Sequence, residues 1–302
     1  MGALELGPMQ KRIDSLPIPF QSVFKDYFQA AEKTEEWLSN FPKEMEWLLQ
    51  KSPTDLLQKV AEMESKPFET TRIEEQKTDT VGGLILELMY RRYVAIEAIK
   101  TGEQKFQGVA KFKTDKQIIG STINELLTTS QKATEDLLEI LLASKNPEKM
   151  EIFQKNWTTG QMDKKNPLEI IQQVTDHENR HQGMLSFFDD MVSTPAETTT
   201  PTDMGKFKSQ PSGWFTGFPE LMTWVLDYSP AQILQKASSA LVKTFTPKKP
   251  ETSPSIGGFM LAHSSEVTKP QIQDYFRCIF DLIQAPFPQK EYFMARTTPI
   301  KK

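Results

Sequence analysis

Two of the three histidines of the chain, His177 and His181, are four residues apart in the segment HENRHQGM. In an α-helix the side chains at positions i and i+4 lie on the same side, so two imidazoles at this spacing can reach one ion. Neutral imidazole is the commonest metal ligand among the side chains. We therefore interpret the pair as metal ligands. The alternative is a pair of core histidines that are satisfied by hydrogen bonds.

The residues around the pair have the pattern of one amphipathic helix from 166 to 192. Asn166 and Pro167 are a capping residue and a proline at the first helical position. Six residues then follow at steps of four and three and form the predicted inward face: Ile170, Val174, His177, His181, Met184 and Phe188. The histidines therefore continue an apolar face, where one metal ion would satisfy both imidazoles.

A third ligand is expected from another helix, and Glu87 in the run LILELMY is the candidate. An unpaired buried carboxylate is costly, whereas a carboxylate bound to a cation is stabilised. The alternative is that Glu87 lies at the edge of the apolar stripe and pairs with Arg91, its i+4 neighbour. Four neighbouring polar residues are candidates for outer groups of the site, although solvated surface positions are the more ordinary interpretation: Tyr90, Asp176, Glu178 and Arg180.

Apolar residues recur at helical spacing over almost the whole chain, which predicts an all-α protein. The clearest helices cover the stripe from Phe20 to Phe28 and the ranges 80–100, 118–143 and 166–192. Four helices with polar connections are typical of an antiparallel four-helix bundle. We assign this bundle to residues 1–192.

The C-terminal part of the chain repeats an early segment. After a Thr- and Pro-rich stretch at 193–213, which we predict to be a linker, ten of the twenty residues at 218–237 are identical to those at 41–60. TVGG at 80–83 likewise matches SIGG in the second copy. We interpret 214–302 as a helical half-repeat with a tail, which must pack on the first domain or on another chain and so favours a homodimer. His263 in this copy is either an ordinary core or interface histidine or a vestigial ligand.

Composition limits the class of protein. The net charge is −4, hydrophobic residues make up 38% and charged residues 25%, and no long block of like charge favours nucleic-acid binding. No apolar run has the length of a membrane span, and the N-terminal residues do not form a signal peptide. The single cysteine, Cys278, excludes an intramolecular disulfide framework. These features predict a cytoplasmic protein that does not bind membranes.

The two motifs together resemble the DinB-like family of metal-binding four-helix bundles. Members have a second-helix stretch similar to TVGGLILEL, with a histidine five residues after the glycine, and a fourth-helix motif of the form HxxxHRGQ. In this chain Glu87 stands at the position of the first histidine, and HENRHQGML places His177 and His181 at the other two. The family's arginine and glutamine are replaced by Gln182 and Met184, which puts their roles with substrate in doubt here.

The resemblance implies a metal site formed by Glu87, His177 and His181, with Zn, Ni, Fe or Mn as the ion. It also implies a metal-dependent thiol S-transferase, or a related hydrolase or isomerase, that joins a small-molecule thiol to an electrophile. One alternative is a non-catalytic, metal-stabilised helical module for dimerisation or partner binding. A second, weaker alternative is a degenerate member of the family that binds no metal.

Overall fold

The computed structural model describes residues 6–68, 80–105, 122–156, 159–191, 218–245, 255–263, 266 and 269–282. These residues are mostly helical, and a small three-stranded sheet accompanies the helices. At this coarse level the predicted helical class is confirmed. The sheet was not predicted from the sequence.

The regular elements have the following bounds. The α-helices are α1 (Leu6–Ile13), α2 (Ile18–Ser39), α3 (Pro53–Glu64), α4 (Val81–Thr101), α5 (Ile123–Ala143), α6 (Pro167–Met191), α7 (Pro230–Ala240), α8 (Ile256–Ala262) and α9 (Pro270–Leu282). Three 3-10 helices cover Lys43–Gln50, Pro147–Lys149 and Glu220–Asp227. The strands are β1 (Glu103–Gln104), β2 (Ile152–Lys155) and β3 (Met162–Lys165).

The helix that carries the histidine pair begins where the sequence predicts. The side chain of Asn166 accepts a hydrogen bond from the backbone N–H of Glu169 at 3.0 Å, and the Glu169 carboxylate accepts one from the Asn166 N–H at 2.9 Å. This reciprocal pair is a capping box, which satisfies two backbone donors at the start of α6. The predicted helix over 166–192 is therefore confirmed as α6.

Contacts divide the chain into two compact units, each of which combines separate stretches of sequence. The first unit contains residues 1–49 and 82–182, and the second contains 50–81 and 183–302. Residues 50–81, which we assigned to the predicted bundle, thus group with the C-terminal part of the chain. The predicted boundaries at 192 and 213 lie outside the described residues and stay predictions.

A hydrophobic core of the first unit is formed by side chains from α1, α2, α4, α5, β2 and α6. Among its fully buried members are the aromatic residues Phe20, Phe24 and Tyr27 of α2, which packs against α5. The predicted stripe at the start of the chain is therefore part of a core-facing helix.

The sheet of the first unit begins directly after α4. Gly102 has a φ of +72° and its N–H donates to the carbonyl of Ala98 at 2.9 Å, which ends the helix in the left-handed conformation that glycine adopts readily. The Gly102 carbonyl then accepts a hydrogen bond from Phe153 at 2.8 Å. Strand β1 pairs parallel to β2, and β2 pairs antiparallel to β3.

The two copies of the repeated segment have the same local structure, residue for residue. Ser52 and Ser229 cap α3 and α7 through equivalent capping boxes. Just beyond each helix, equivalent residues of the two copies have positive φ, Ser65 at 53° and Val242 at 51°. The following residue in each copy donates to the carbonyl five positions earlier, at 2.9 Å in both. This correspondence supports the interpretation of the repeat as an internal duplication.

In the second unit the repeated helices α3 and α7 pack against each other. The Glu64 carboxylate at the end of α3 accepts hydrogen bonds from the Tyr228 hydroxyl and the Lys236 ammonium group of the second copy. Trp224 of that copy donates its indole N–H to the carbonyl of Pro67 at 3.0 Å. The two copies thus pack on each other, as expected for stacked repeats.

Helices α6 and α9 cross closely within the second unit. A Cβ atom at Gly183 would lie 1.7 Å from the backbone oxygen of Gln271, so the crossing requires a glycine. The Tyr275 hydroxyl donates to the Asp190 carboxylate at 3.0 Å beside an edge-to-face contact with Phe187. Among the described residues no helix is long and apolar enough to cross a membrane.

Candidate metal site and the adjoining cleft

The two histidines of α6 lie side by side. Their rings are 4.0 Å apart between centroids at an interplanar angle of 69°, and Nε2 of His181 is 3.2 Å from Nδ1 of His177. Two nitrogens bound to one tetrahedral zinc ion at about 2.0–2.1 Å would be separated by about 3.3 Å. The observed spacing therefore fits two ligands of one ion, and a hydrogen bond between the rings accounts for it equally well.

Glu87 is half-buried on α4. Within the described part of the chain, no three side chains among His, Cys, Asp and Glu come together in a metal-binding group. The role of Glu87 as a third ligand stays a prediction. A metal ion held by the histidine pair alone would need water or substrate at its remaining positions.

Five of the six residues on the predicted inward face of α6 are buried, and the sixth, His177, is half-buried. Glu178 is only 1% exposed and His181 only 4%, whereas His177 is half-buried. The buried face therefore passes through Glu178, one residue after His177. The interpretation of Glu178 as a solvated surface residue is wrong, because the helix turns this carboxylate into the core of the first unit.

Glu178 is paired there with an arginine that the sequence analysis did not single out. Nε of Arg92 on α4 donates to Oε1 of Glu178 at 2.6 Å, and both side chains are fully buried. The second carboxylate oxygen accepts from the hydroxyl of Thr34 at 3.3 Å. Nη1 of Arg92 donates to both the hydroxyl and the carbonyl of Ser130, at 2.6 and 3.1 Å.

A second buried carboxylate completes this group, which we call the buried ionic cluster (Glu35, Arg92, Ser130 and Glu178). The hydroxyl of Ser130 donates to the Glu35 carboxylate at 3.0 Å. Burial raises the pKa of Glu35, and the nearby charge of Arg92 opposes that rise. Burial also raises the pKa of Tyr27, whose ring lies beside the Arg92 guanidinium, to about 12.

A cleft of about 240 Å³ opens on the other side of His177 within the first unit. Its lining comes from α4, β1, β2 and α6: Arg91, Gln104, Gln154, Ile170, Gln173, Val174, Asp176, His177 and Arg180. The Gln173 amide on α6 donates to the Gln154 side chain on β2 at 3.3 Å, which ties the helix to the sheet at one edge. The small sheet thus supplies a wall of the cleft.

Of the predicted site residues, the structure brings His177 and His181 together and places His177 and Arg180 on the cleft. His263 belongs to the second unit. Its Nδ1 is 3.0 Å from the Glu266 carboxylate and its ring is tilted against Phe259 at 4.4 Å, which is an ordinary histidine environment. Cys278 is buried.

No protein-family model, curated protein or solved structure matches the chain. The resemblance to the DinB-like family therefore rests on the two short motifs of α4 and α6.

Proposed function

We propose that the chain is a metal-dependent enzyme of the DinB-like kind, in which His177 and His181 bind one divalent transition metal beside an open cleft. The reaction is the transfer of a low-molecular-weight thiol to an electrophile. The observation that carries this proposal is the 3.2 Å separation of two imidazole nitrogens, one of which belongs to a residue that lines the cleft. Zn, Ni, Fe and Mn all suit such a site.

When bound, the metal would lower the pKa of a thiol or water at its open position and supply a nucleophile near neutral pH. The histidines hold the ion, and buried His181 restricts its approach to the side of His177. Glu87 is the proposed third ligand, from α4. The hydrogen-bonded pair of Arg92 and Glu178 fixes α4 against α6 next to this site, and so positions the ligands of the two helices relative to each other.

The test is turnover by the full chain loaded with each metal in turn, with a small thiol and an activated aryl halide as substrates. His181→Ala should reduce the rate by about a hundredfold or more. The loss of a residue that only supports a metal ligand typically costs roughly 10–100-fold in activity, and the loss of a ligand itself should cost more. His263→Ala is the matched control, since it removes a histidine that lies outside the site. A wild-type rate no higher than that of free metal would contradict the proposal, as would equal losses in the two variants.

A second candidate function is a non-catalytic, metal-stabilised helical module that serves assembly. The packing of α3 on its duplicate α7 favours it, because the second copy then has a structural role of its own. In this case metal would raise the unfolding temperature of the chain, and thiol and electrophile would show no turnover above free metal. Sedimentation of the full chain would show whether the proposed homodimer forms.

A further inference from the structure

The cleft beside His177 carries both signs of charge. Two of its side chains, Arg91 and Arg180, are cationic and one, Asp176, is anionic. When His177 is neutral, the net charge of the cleft lining is +1. Its other polar residues are glutamines, which can both donate and accept hydrogen bonds. Such a lining suits a ligand that carries groups of both charges.

Two polar groups of the cleft are unused by the described residues. Arg180 makes no hydrogen bond or ion pair to any of them. Oε1 of Gln104, on β1, is buried and accepts no hydrogen bond within the described part of the chain. A buried acceptor without a donor is costly, so this atom is a place for the N–H or O–H group of a ligand.

We propose that the cleft binds a small amino-acid-like zwitterion through these groups. Its carboxylates contact the guanidinium groups of Arg91 and Arg180, whose planar forks match carboxylate geometry. Its ammonium group contacts the carboxylate of Asp176 and the amide oxygen of Gln104. As the substrate class of the proposed enzyme, this inference rests on the proposed function, although binding itself needs no metal.

The same groups discriminate against a phosphate ligand. A phosphate anion has no cationic group for the Asp176 carboxylate, which repels it. A volume of about 240 Å³ is just below the roughly 300–1,000 Å³ of pockets for drug-sized ligands, which fits a molecule of amino-acid size. L-Glutamate, with two carboxylates and one ammonium group, complements two arginines and one aspartate in number and sign.

The test is calorimetric titration of the metal-free full chain with L-glutamate, glutarate and inorganic phosphate. Glutarate lacks only the ammonium group, so it should bind about tenfold more weakly than glutamate, the ratio expected for one lost charge-assisted hydrogen bond. Phosphate should bind more weakly than both. The cleft assignment is overturned if none of the three probes binds with a Kd below about 10 mM, because weaker binding is no stronger than a non-specific contact. It is also overturned if phosphate binds best.

Three variants locate the bound probe. Arg180→Ala should weaken glutamate binding by about tenfold or more. Lys33→Ala is the matched control, because it removes one exposed positive charge from α2, outside the cleft lining. Asp176→Asn should abolish the preference for glutamate over glutarate. Equal effects of the first two variants, or an unchanged preference in the third, would overturn the inference.

Glutamate binding and metal binding fail independently of each other. A chain that binds metal through the histidines but no glutamate would retain the proposed function and refute the zwitterion site. A chain that binds glutamate in the cleft but no metal would support the site and refute the metal-dependent mechanism.

Discussion

Glu178 and His177 are neighbours on α6, and their environments are opposite. Both oxygens of the Glu178 carboxylate accept hydrogen bonds from buried residues of the first unit, whereas His177 is half-buried and lines an open cleft. Buried polar groups that are paired inside the protein hold its elements in place. The groups turned toward the cleft are those placed to meet a ligand. A rotation of about 100° along one helix thus separates a buried, paired carboxylate from an imidazole on the cleft.

The largest expected effect concerns the structural side of this comparison. Arg92→Ala should lower the free energy of unfolding by about 3–5 kcal/mol, because it leaves the buried Glu178 without its cation. Urea denaturation measures the loss. Arg12→Ala breaks a pair with Glu139 that is partly exposed and should cost about 1 kcal/mol or less. Similar losses in the two variants would contradict the role given to the buried pair.

A smaller loss is expected when both members of the buried pair are replaced. The double variant Arg92→Met with Glu178→Met removes both charges of this pair together, so that Glu35 is the remaining carboxyl group of the buried ionic cluster. The free energy of unfolding of the double variant should be higher than that of Arg92→Ala by about 2 kcal/mol or more. If the double variant is as unstable as the single one, the cost comes from packing or from Ser130 and Glu35 rather than from an unpaired charge.

On the chemical side, Glu87→Gln tests the proposed third ligand. It should weaken metal binding by about tenfold, or about 1.4 kcal/mol, since an amide is a poorer ligand than a carboxylate. Competition with a coloured chelator measures the affinity. Glu97→Gln on the same helix is the control. Unchanged affinity in Glu87→Gln would favour the alternative that Glu87 only pairs with Arg91.

The smallest effect is a pH dependence that arises in the buried ionic cluster. Because the pKa of Glu35 is raised by burial, its carboxyl keeps a proton in the folded chain at pH values where the unfolded chain has lost it. The contribution of Glu35 to the free energy of unfolding should therefore fall as pH rises from its ordinary 4.5 through the raised pKa. This decline should be absent in Glu35→Gln. Urea titrations at several pH values compare the two, and identical slopes would contradict the raised pKa.

Local signals in the sequence were sufficient for the four longest helices, α2, α4, α5 and α6. Asn166 followed by Pro167 predicted the start of α6, and the apolar periodicity predicted α4 and α5, although α5 begins at Ile123 rather than at 118. The matched segments of the duplication have the same caps and the same left-handed residues. Such features depend on residues close in sequence, which is why they could be read without a structure.

Non-local features were missed for a physical reason. The strands are two to four residues long, too short for an alternating pattern to be distinguished from a loop. Glu178 and Arg92 are 86 residues apart, and neither reveals its partner until the two helices are packed. An arginine inside the apolar run YRRYVAI was the available signal for a buried charge. Its meaning depended on a carboxylate from another helix.

The geometry of the histidine pair was predicted from the sequence. The spacing of His177 and His181 correctly placed their rings side by side, because i and i+4 neighbours are fixed by helix geometry. The sequence analysis placed His177, three residues after Val174, on the inward face of α6. In the structure the more deeply buried residue is Glu178, which is four residues after Val174. The cleft could not be predicted, because its walls combine α4 and β1 with β2 and α6, two pairs of elements that are distant in sequence.

The central claim is that His177 and His181 bind a metal ion. Elemental analysis of the purified, tag-free chain, before and after reloading, tests it most directly alongside His177→Ala, His181→Ala and the control His263→Ala. The account predicts one transition-metal ion per chain in the wild type and in the control, and its loss in the other two variants. A wild-type chain that holds no metal even after reloading would contradict the account and leave the pair as hydrogen-bonded core histidines.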